Sequence, residues 1–134
     1  MRILICGSRS IADQQFVIDT IEAANFVITE VVVGDARGVD AIAAAWARHH
    51  GIPVEVFYAD WDRFGKSAGY RRNNEMVASE IDGTLAIWDG FSRGTRHTID
   101  LTLNLPQIPV IIAHVGWAYG SPLVEFVECE ECPF

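Results

Sequence analysis

Apolar residues in this chain gather into five short runs separated by segments of a different rhythm. Arg2 to Cys6, Ile28 to Val33, Pro53 to Tyr58, Gly83 to Trp88 and Ile108 to Ala113 are mainly apolar and rich in valine and isoleucine. A short, nearly continuous apolar run is the pattern of a strand covered on both faces. Between the runs the spacing turns helical. Phe16, Ile18, Ile21 and Ala24 recur through Ala12 to Ala24, and alanine fills 41, 43, 44, 45 and 47 in the helix expected from Val39 to His50. Gly51 and Pro53 stop that helix. Further helices are expected over Ala68 to Ser79 and over Arg96 to Leu105, before Pro106, with Ala59 to Ser67 as a loop. Strand followed by helix, repeated along the chain, predicts an α/β fold: a doubly wound parallel sheet of about five strands with helices on both faces. The rhythm fades after Ala113. Residues 1–115 are expected to form one domain and residues 116–134 an acidic C-terminal tail.

Three of the five runs end in a turn that holds both glycine and arginine: Gly7-Ser8-Arg9, Gly34-Asp35-Ala36-Arg37-Gly38, and Asp89-Gly90-Phe91-Ser92-Arg93-Gly94-Thr95. In an open parallel sheet the carboxyl ends of the strands share one edge, where ligands bind. Backbone N–H groups in such turns and at helix starts, together with guanidinium groups, suit an anion, most often a phosphate. The residues expected around it are Gly7, Ser8, Arg9, Gly34, Asp35, Ala36, Arg37, Gly38, Asp40, Asp89, Gly90, Ser92, Arg93, Gly94 and Thr95. Neither common phosphate motif is present. Gly65-Lys66-Ser67 ends like a P-loop, but position 60 is Asp where that loop has glycine.

Charge narrows the ligand. Eighteen acidic residues against ten basic ones give a formal charge of −8, which opposes a broad footprint on a nucleic-acid backbone. A basic pocket in an acidic body suits a small phosphorylated molecule. No apolar run reaches the ~20 residues of a membrane span, and the N-terminus has no secretory pattern, so a cytoplasmic protein is expected. Three cysteines fit a reducing compartment. Cys129 and Cys132 lack the second pair of ligands that a zinc site needs, and no metal is expected.

Taken together, Cys6-Gly7-Ser8-Arg9, Gly34-Asp35-Ala36-Arg37-Gly38-Val39-Asp40, Ala59-Asp60-Trp61, Gly65-Lys66, Ala68-Gly69 with Arg72-Asn73, and Trp88-Asp89-Gly90 with Ser92-x-Gly94-Thr95 resemble the YspA-related branch of the SLOG superfamily. The resemblance spans residues 1 to 113. It implies a Rossmann-like domain that binds a nucleotide or nucleotide-derived ligand, with no further cofactor, and it adds Arg72 and Asn73 as ligand-facing residues. It also implies a homo-oligomer in which a neighbouring chain completes the pocket. Within the superfamily, Lonely Guy phosphoribohydrolases cleave the N-glycosidic bond of nucleoside monophosphates with a P-G-G-x-G-T-x-x-E turn. Gly94-Thr95 is similar to that turn, but Thr98 stands where the glutamate would be. A hydrolase is therefore the second reading, with Arg72 and Asp89 as candidate catalytic groups. A DNA-associated module similar to DprA is the third; the acidic charge argues against it, while Arg63, Lys66, Arg71 and Arg72 form a local basic strip. His97 near the last turn is a further candidate for a catalytic role, and Trp61 in the loop after the third run for contact with the ligand's base or sugar.

Overall fold

The computed structural model describes residues 1–105, 107–118 and 121–129, with side chains as far as residue 115. Five strands run parallel: β1 (Arg2–Gly7), β2 (Glu30–Gly34), β3 (Val54–Phe57), β4 (Gly83–Trp88) and β5 (Val110–Ala118). A sixth, β6 (Ser121–Cys129), pairs antiparallel with β5, and the strand order is β3-β2-β1-β4-β5-β6. The chain thus forms the expected α/β sheet. The part expected as an acidic tail includes the end of β5 and all of β6, because the open edge of β5 offers backbone partners from Val110 to Ala118 that a sequence pattern does not reveal. Cys132 lies outside the described residues, and so does the side chain of Cys129.

Period-two alternation sorts the strand residues between two helical layers. Ile3, Ile5, Val31, Val33, Leu85, Ile87, Ile111 and Ala113 pack against α1 (Gln14–Ala24) and α2 (Val39–His49). The intervening positions face the other way. Leu4 and Val32 meet Met76 and Val77 of α4 (Ala68–Val77), while Cys6 and Ala86 meet Ile99 of α5 (Arg93–Leu103). Three fully buried valines, Val31, Val32 and Val33, need both layers at once, which is why β2 reads as an unbroken apolar run.

Two helices depart from the sequence expectation. The segment expected as a loop contains α3 (Trp61–Phe64) and a 3₁₀ turn at Gly65–Ser67 that runs into α4. The Asp60 carboxylate caps α3 by accepting the Arg63 N–H at 3.1 Å, a signal too short to register as periodicity. α5 begins three residues earlier than expected, with Ser92 as its N-cap accepting the Thr95 N–H. Arg93, Gly94 and Thr95 are therefore first-turn helical residues rather than members of a turn. No helix among the described residues is long and apolar enough to cross a membrane.

Candidate functional site

The strand order reverses between β1 and β4, because β2 and β3 lie on one side of β1 while β5 lies beyond β4. A parallel sheet opens a crevice at its carboxyl edge at that point. Here the crevice is a cleft of about 160 Å³ between the β1 turn, the β2 turn, α4 and the start of α5. Of the expected residues, Gly7, Arg9, Ala36, Asp40, Arg72, Asn73, Ser92, Gly94 and Thr95 line it.

The first two turns meet backbone to backbone. Gly38, the residue before α2, has φ +77° and ψ −128°, and a Cβ there would lie 2.7 Å from the Arg9 carbonyl oxygen and 2.8 Å from that of Ser8. Only glycine allows both the conformation and the approach. Ser8 is fully buried. Its N–H donates to the Ile87 carbonyl and its hydroxyl accepts the Asp89 N–H, so it ties the ends of β1 and β4 together and is structural.

Arg72 is the buried cation of the cleft, 8 % exposed. Its guanidinium passes over Gly34, whose missing side chain makes the space: a Cβ there would lie 2.7 Å from Nη1 of Arg72 and 2.8 Å from Oδ2 of Asp40. Nη1 is ion-paired with Asp35, and Nε donates to Oδ1 of Asn73 at 3.0 Å. Asn73 in turn donates to the Gly94 carbonyl at 3.3 Å and lies 3.3 Å from Nδ1 of His97. Asp35, Arg72 and Asn73 thus form a bracket from the β2 turn to α5. Burial lowers the pKa of His97, against the opposing charge of Asp100, which favours the neutral imidazole. Its ring stands edge-on to Tyr70 at 4.8 Å.

Asp40 sits in the first turn of α2, 6 % exposed. Its Oδ2 accepts the Ala36 N–H at 3.2 Å, and it has no ion pair among the described residues. Burial raises its pKa to about 6, opposed by the charges of Arg72 and Arg9 and by the Ala36 N–H.

Other expected residues fall elsewhere. The convergence expected of Arg9, Arg37 and Arg93 is represented in the cleft by Arg9 alone; Arg37 and Arg93 are exposed and outside it. Helical spacing turns Arg93 away from the face shared by Gly94, Thr95 and Thr98. Asp89 folds back on its own turn: its Oδ1 accepts the Phe91 and Ser92 N–H groups, both at 2.8 Å, and its Oδ2 accepts the Ser10 hydroxyl at 3.0 Å. Desolvation would raise its pKa, but those bonds outweigh it and hold the carboxyl below its ordinary range. Asp89 and Gly90 border a different cleft beside α1, about 920 Å³ and mainly apolar, whose lining holds no arginine or lysine. Trp61 is 47 % exposed and lies over Gly69, not in the cleft.

Three lining residues escaped the sequence reading as ligand contacts: Cys6, Met76 and Thr98. Met76 lies four residues after Arg72, and Thr98 four after Gly94, so helical spacing from the arginine and glycine already chosen was the available signal. Thr98 donates its hydroxyl to the Gly94 carbonyl at 3.3 Å. Burial pushes the Cys6 thiol up, with Asp40 reinforcing and Arg72 opposing, so it remains a neutral thiol rather than a nucleophile. A second recess of about 260 Å³ shares Ala36 and Asp40 with the cleft and adds Arg48 and Tyr58.

Comparison with known proteins agrees with the motifs. The family described as YspA, cpYpsA-related SLOG matches residues 1–64. The gene 61 protein of Mycobacterium phage D29 is 45% identical over 104 residues, covering 72% of this chain and 83% of that protein. The matched family segment contains both glycine turns that meet at Gly38, and the relative's similarity extends over most of the chain. This chain belongs to the YspA, cpYpsA-related SLOG family.

Proposed function

We propose that the protein binds a phosphorylated, nucleotide-derived small molecule in the cleft between β1 and β4, as a sensor or processing protein. The observation that carries this reading is the position of a buried arginine and the first turn of α5 in the crevice at the point where the strand order reverses. A phosphate beside Gly94 meets the N-terminal end of α5, where the first-turn N–H groups not taken by the Ser92 cap, together with the helix dipole, favour an anion. Arg9 stands at the rim and Arg72 at the wall. A volume of about 160 Å³ is below the ~300–1,000 Å³ of a drug-sized site, and suits a phosphate with part of its sugar. The adjoining recess beside Asp40, Arg48 and Tyr58 offers room for the remainder. A neighbouring copy of the chain covering the open side would complete the pocket; a strict monomer in gel filtration would remove that part.

Binding is favoured over glycosidic cleavage by what Thr98 does. A hydroxyl donating to its own helix cannot replace the carboxylate that stabilises oxocarbenium character. The test is calorimetric titration with AMP and with adenosine, plus an assay for free adenine. AMP should bind, adenosine at least tenfold more weakly, with no adenine released. Equal binding of the two, or of neither, would refute the reading, and sustained release of adenine would replace it with the hydrolase.

A further inference from the structure

Asp40 is a buried carboxylate on the wall of a cleft read above as an anion site, and the function just proposed gives it no work. A carboxylate there is costly to keep ionised. It is 6 % exposed, it accepts one N–H, from Ala36, and it lacks an ion pair among the described residues. The guanidinium nearest to it is engaged by Asp35. The charged groups around it come from every neighbouring element: Asp35 from the end of β2, Arg72 from α4 and Arg9 from the β1 turn. The Cys6 thiol of β1 is also close enough to feel its charge, and Arg48 and Tyr58 border the recess on its far side.

Counting charges makes the consequence plain. Arg72 and Arg9 contribute two positive charges; Asp35 and an ionised Asp40 contribute two negative ones. Asp35 lies outside the lining but is bound to Arg72, so with Asp40 ionised these four charges cancel, and with Asp40 protonated one net positive charge remains. An incoming anion also lies against a carboxylate at low dielectric, where like charges repel most strongly.

We propose that the cleft takes up a proton together with its anionic ligand, and that Asp40 is the group that receives it. This rests on the anion-site reading and adds to it a specific linkage. Affinity for a fixed-charge anion then falls as pH rises through the Asp40 pKa, because only the protonated cleft binds well. Protonation also converts one oxygen of Asp40 from a repelling acceptor to a donor, able to hydrogen-bond the anion or a sugar hydroxyl.

The test uses inorganic sulfate, which keeps its charge across the range where phosphate itself titrates. Sulfate affinity is read from the amide shifts of Gly94 and Thr95 between pH 5.5 and 7.5. With a pKa of about 6 for the free protein, the dissociation constant should rise about 25-fold over that interval. Asp40→Asn, which keeps the shape and the acceptor for Ala36, should bind at pH 7.5 as wild type does at pH 5.5, with a nearly flat profile. Calorimetry of wild type in two buffers of different ionisation enthalpy should show close to one proton taken up per sulfate at pH 7.5; this measurement needs no variant. A flat wild-type profile, an unaltered slope in Asp40→Asn, or no proton uptake would overturn the linkage while leaving the anion site intact. Absence of sulfate and AMP binding at every pH would overturn the anion site itself, and the linkage with it.

Discussion

One substitution, glycine to alanine, should give three different results at Gly7, Gly34 and Gly94, because the added methyl meets three different surroundings. At Gly7 the Cβ would lie 2.5 Å from the Ile87 carbonyl oxygen and 2.5 Å from Cγ2 of Val39. That carbonyl accepts the Ser8 N–H within the β1–β4 ladder, and Val39 is fully buried, so neither can move aside cheaply. Overpacking of a rigid site costs about 1–3 kcal/mol, and this contact belongs at the upper end. At Gly34 the nearest atoms are Nη1 of Arg72 at 2.7 Å and Oδ2 of Asp40 at 2.8 Å. These are side-chain ends, so the guanidinium yields by loosening its bond to Asp35, at roughly 2 kcal/mol for a hydrogen bond to a charged group. At Gly94 nothing lies within 4 Å. Alanine there improves the helix by up to about 1 kcal/mol, while its methyl enters the cleft.

At about 2.1 cal/mol/K per residue, a chain of 134 residues unfolds with an entropy near 280 cal/mol/K, so 1 kcal/mol corresponds to roughly 3.5 °C. Thermal unfolding followed by circular dichroism should place Gly7→Ala about 10 °C below wild type and Gly34→Ala about 7 °C below. Gly94→Ala should match wild type or melt up to about 3 °C higher. AMP titration should reverse the sense for the last variant, with affinity reduced at least tenfold despite intact stability. If Gly94→Ala melts as low as Gly7→Ala, or if Gly7→Ala melts with wild type, the packing described at these turns is wrong.

Other expectations follow from the same contacts. Arg72→Lys keeps the charge but cannot hold Asp35 and Asn73 together, so AMP affinity should fall at least tenfold with a stability loss of about 1–2 kcal/mol in urea unfolding; unchanged affinity would show that the bracket is dispensable. Asp40 has a folded pKa above that of an unfolded carboxyl, so its contribution is most favourable below pH 4 and is lost as pH rises through about 6. The full shift of two units at about 1.4 kcal/mol each is worth about 3 kcal/mol, of which roughly 2 kcal/mol falls between pH 4 and pH 7, so Asp40→Asn should gain about that much relative to wild type over this interval, measured by urea unfolding at both values; a constant difference would contradict the burial argument. Asp89 behaves in the opposite sense. Its depressed pKa supplies stability present above the unfolded value of about 3.9 and lost as pH falls below it, so Asp89→Asn should flatten the acid limb of the unfolding curve below pH 4. Trp61→Ala should leave AMP affinity within twofold, since the ring lies over Gly69 outside the cleft.

Much of the architecture was readable in the chain because it depends on local rhythm. Val31 to Val33, running straight into the Gly34 turn, read as a strand covered on both faces, and the alternating helices predicted the parallel sheet that the structure has. Arg72 and Asn73 could be chosen by resemblance, and Gly34 and Gly38 by their place after a strand. What stayed hidden required contacts between distant residues. Asp40 could be placed near the anion from the sequence, but its raised pKa could not be read there, because that comes from burial beside β1, β2 and α4. Arg9, Arg37 and Arg93 look equivalent in sequence, yet only Arg9 reaches the cleft, because the helical phase of α5 and the exposed β2 turn send the others outward. The residues after Ala113 gave no strand signal because pairing along an open edge is set by the neighbouring backbone. Periodicity in the sequence determined which segments became strands and helices. Tertiary packing alone decided which charges lost their water, and therefore which groups can bind an anion or hold a proton.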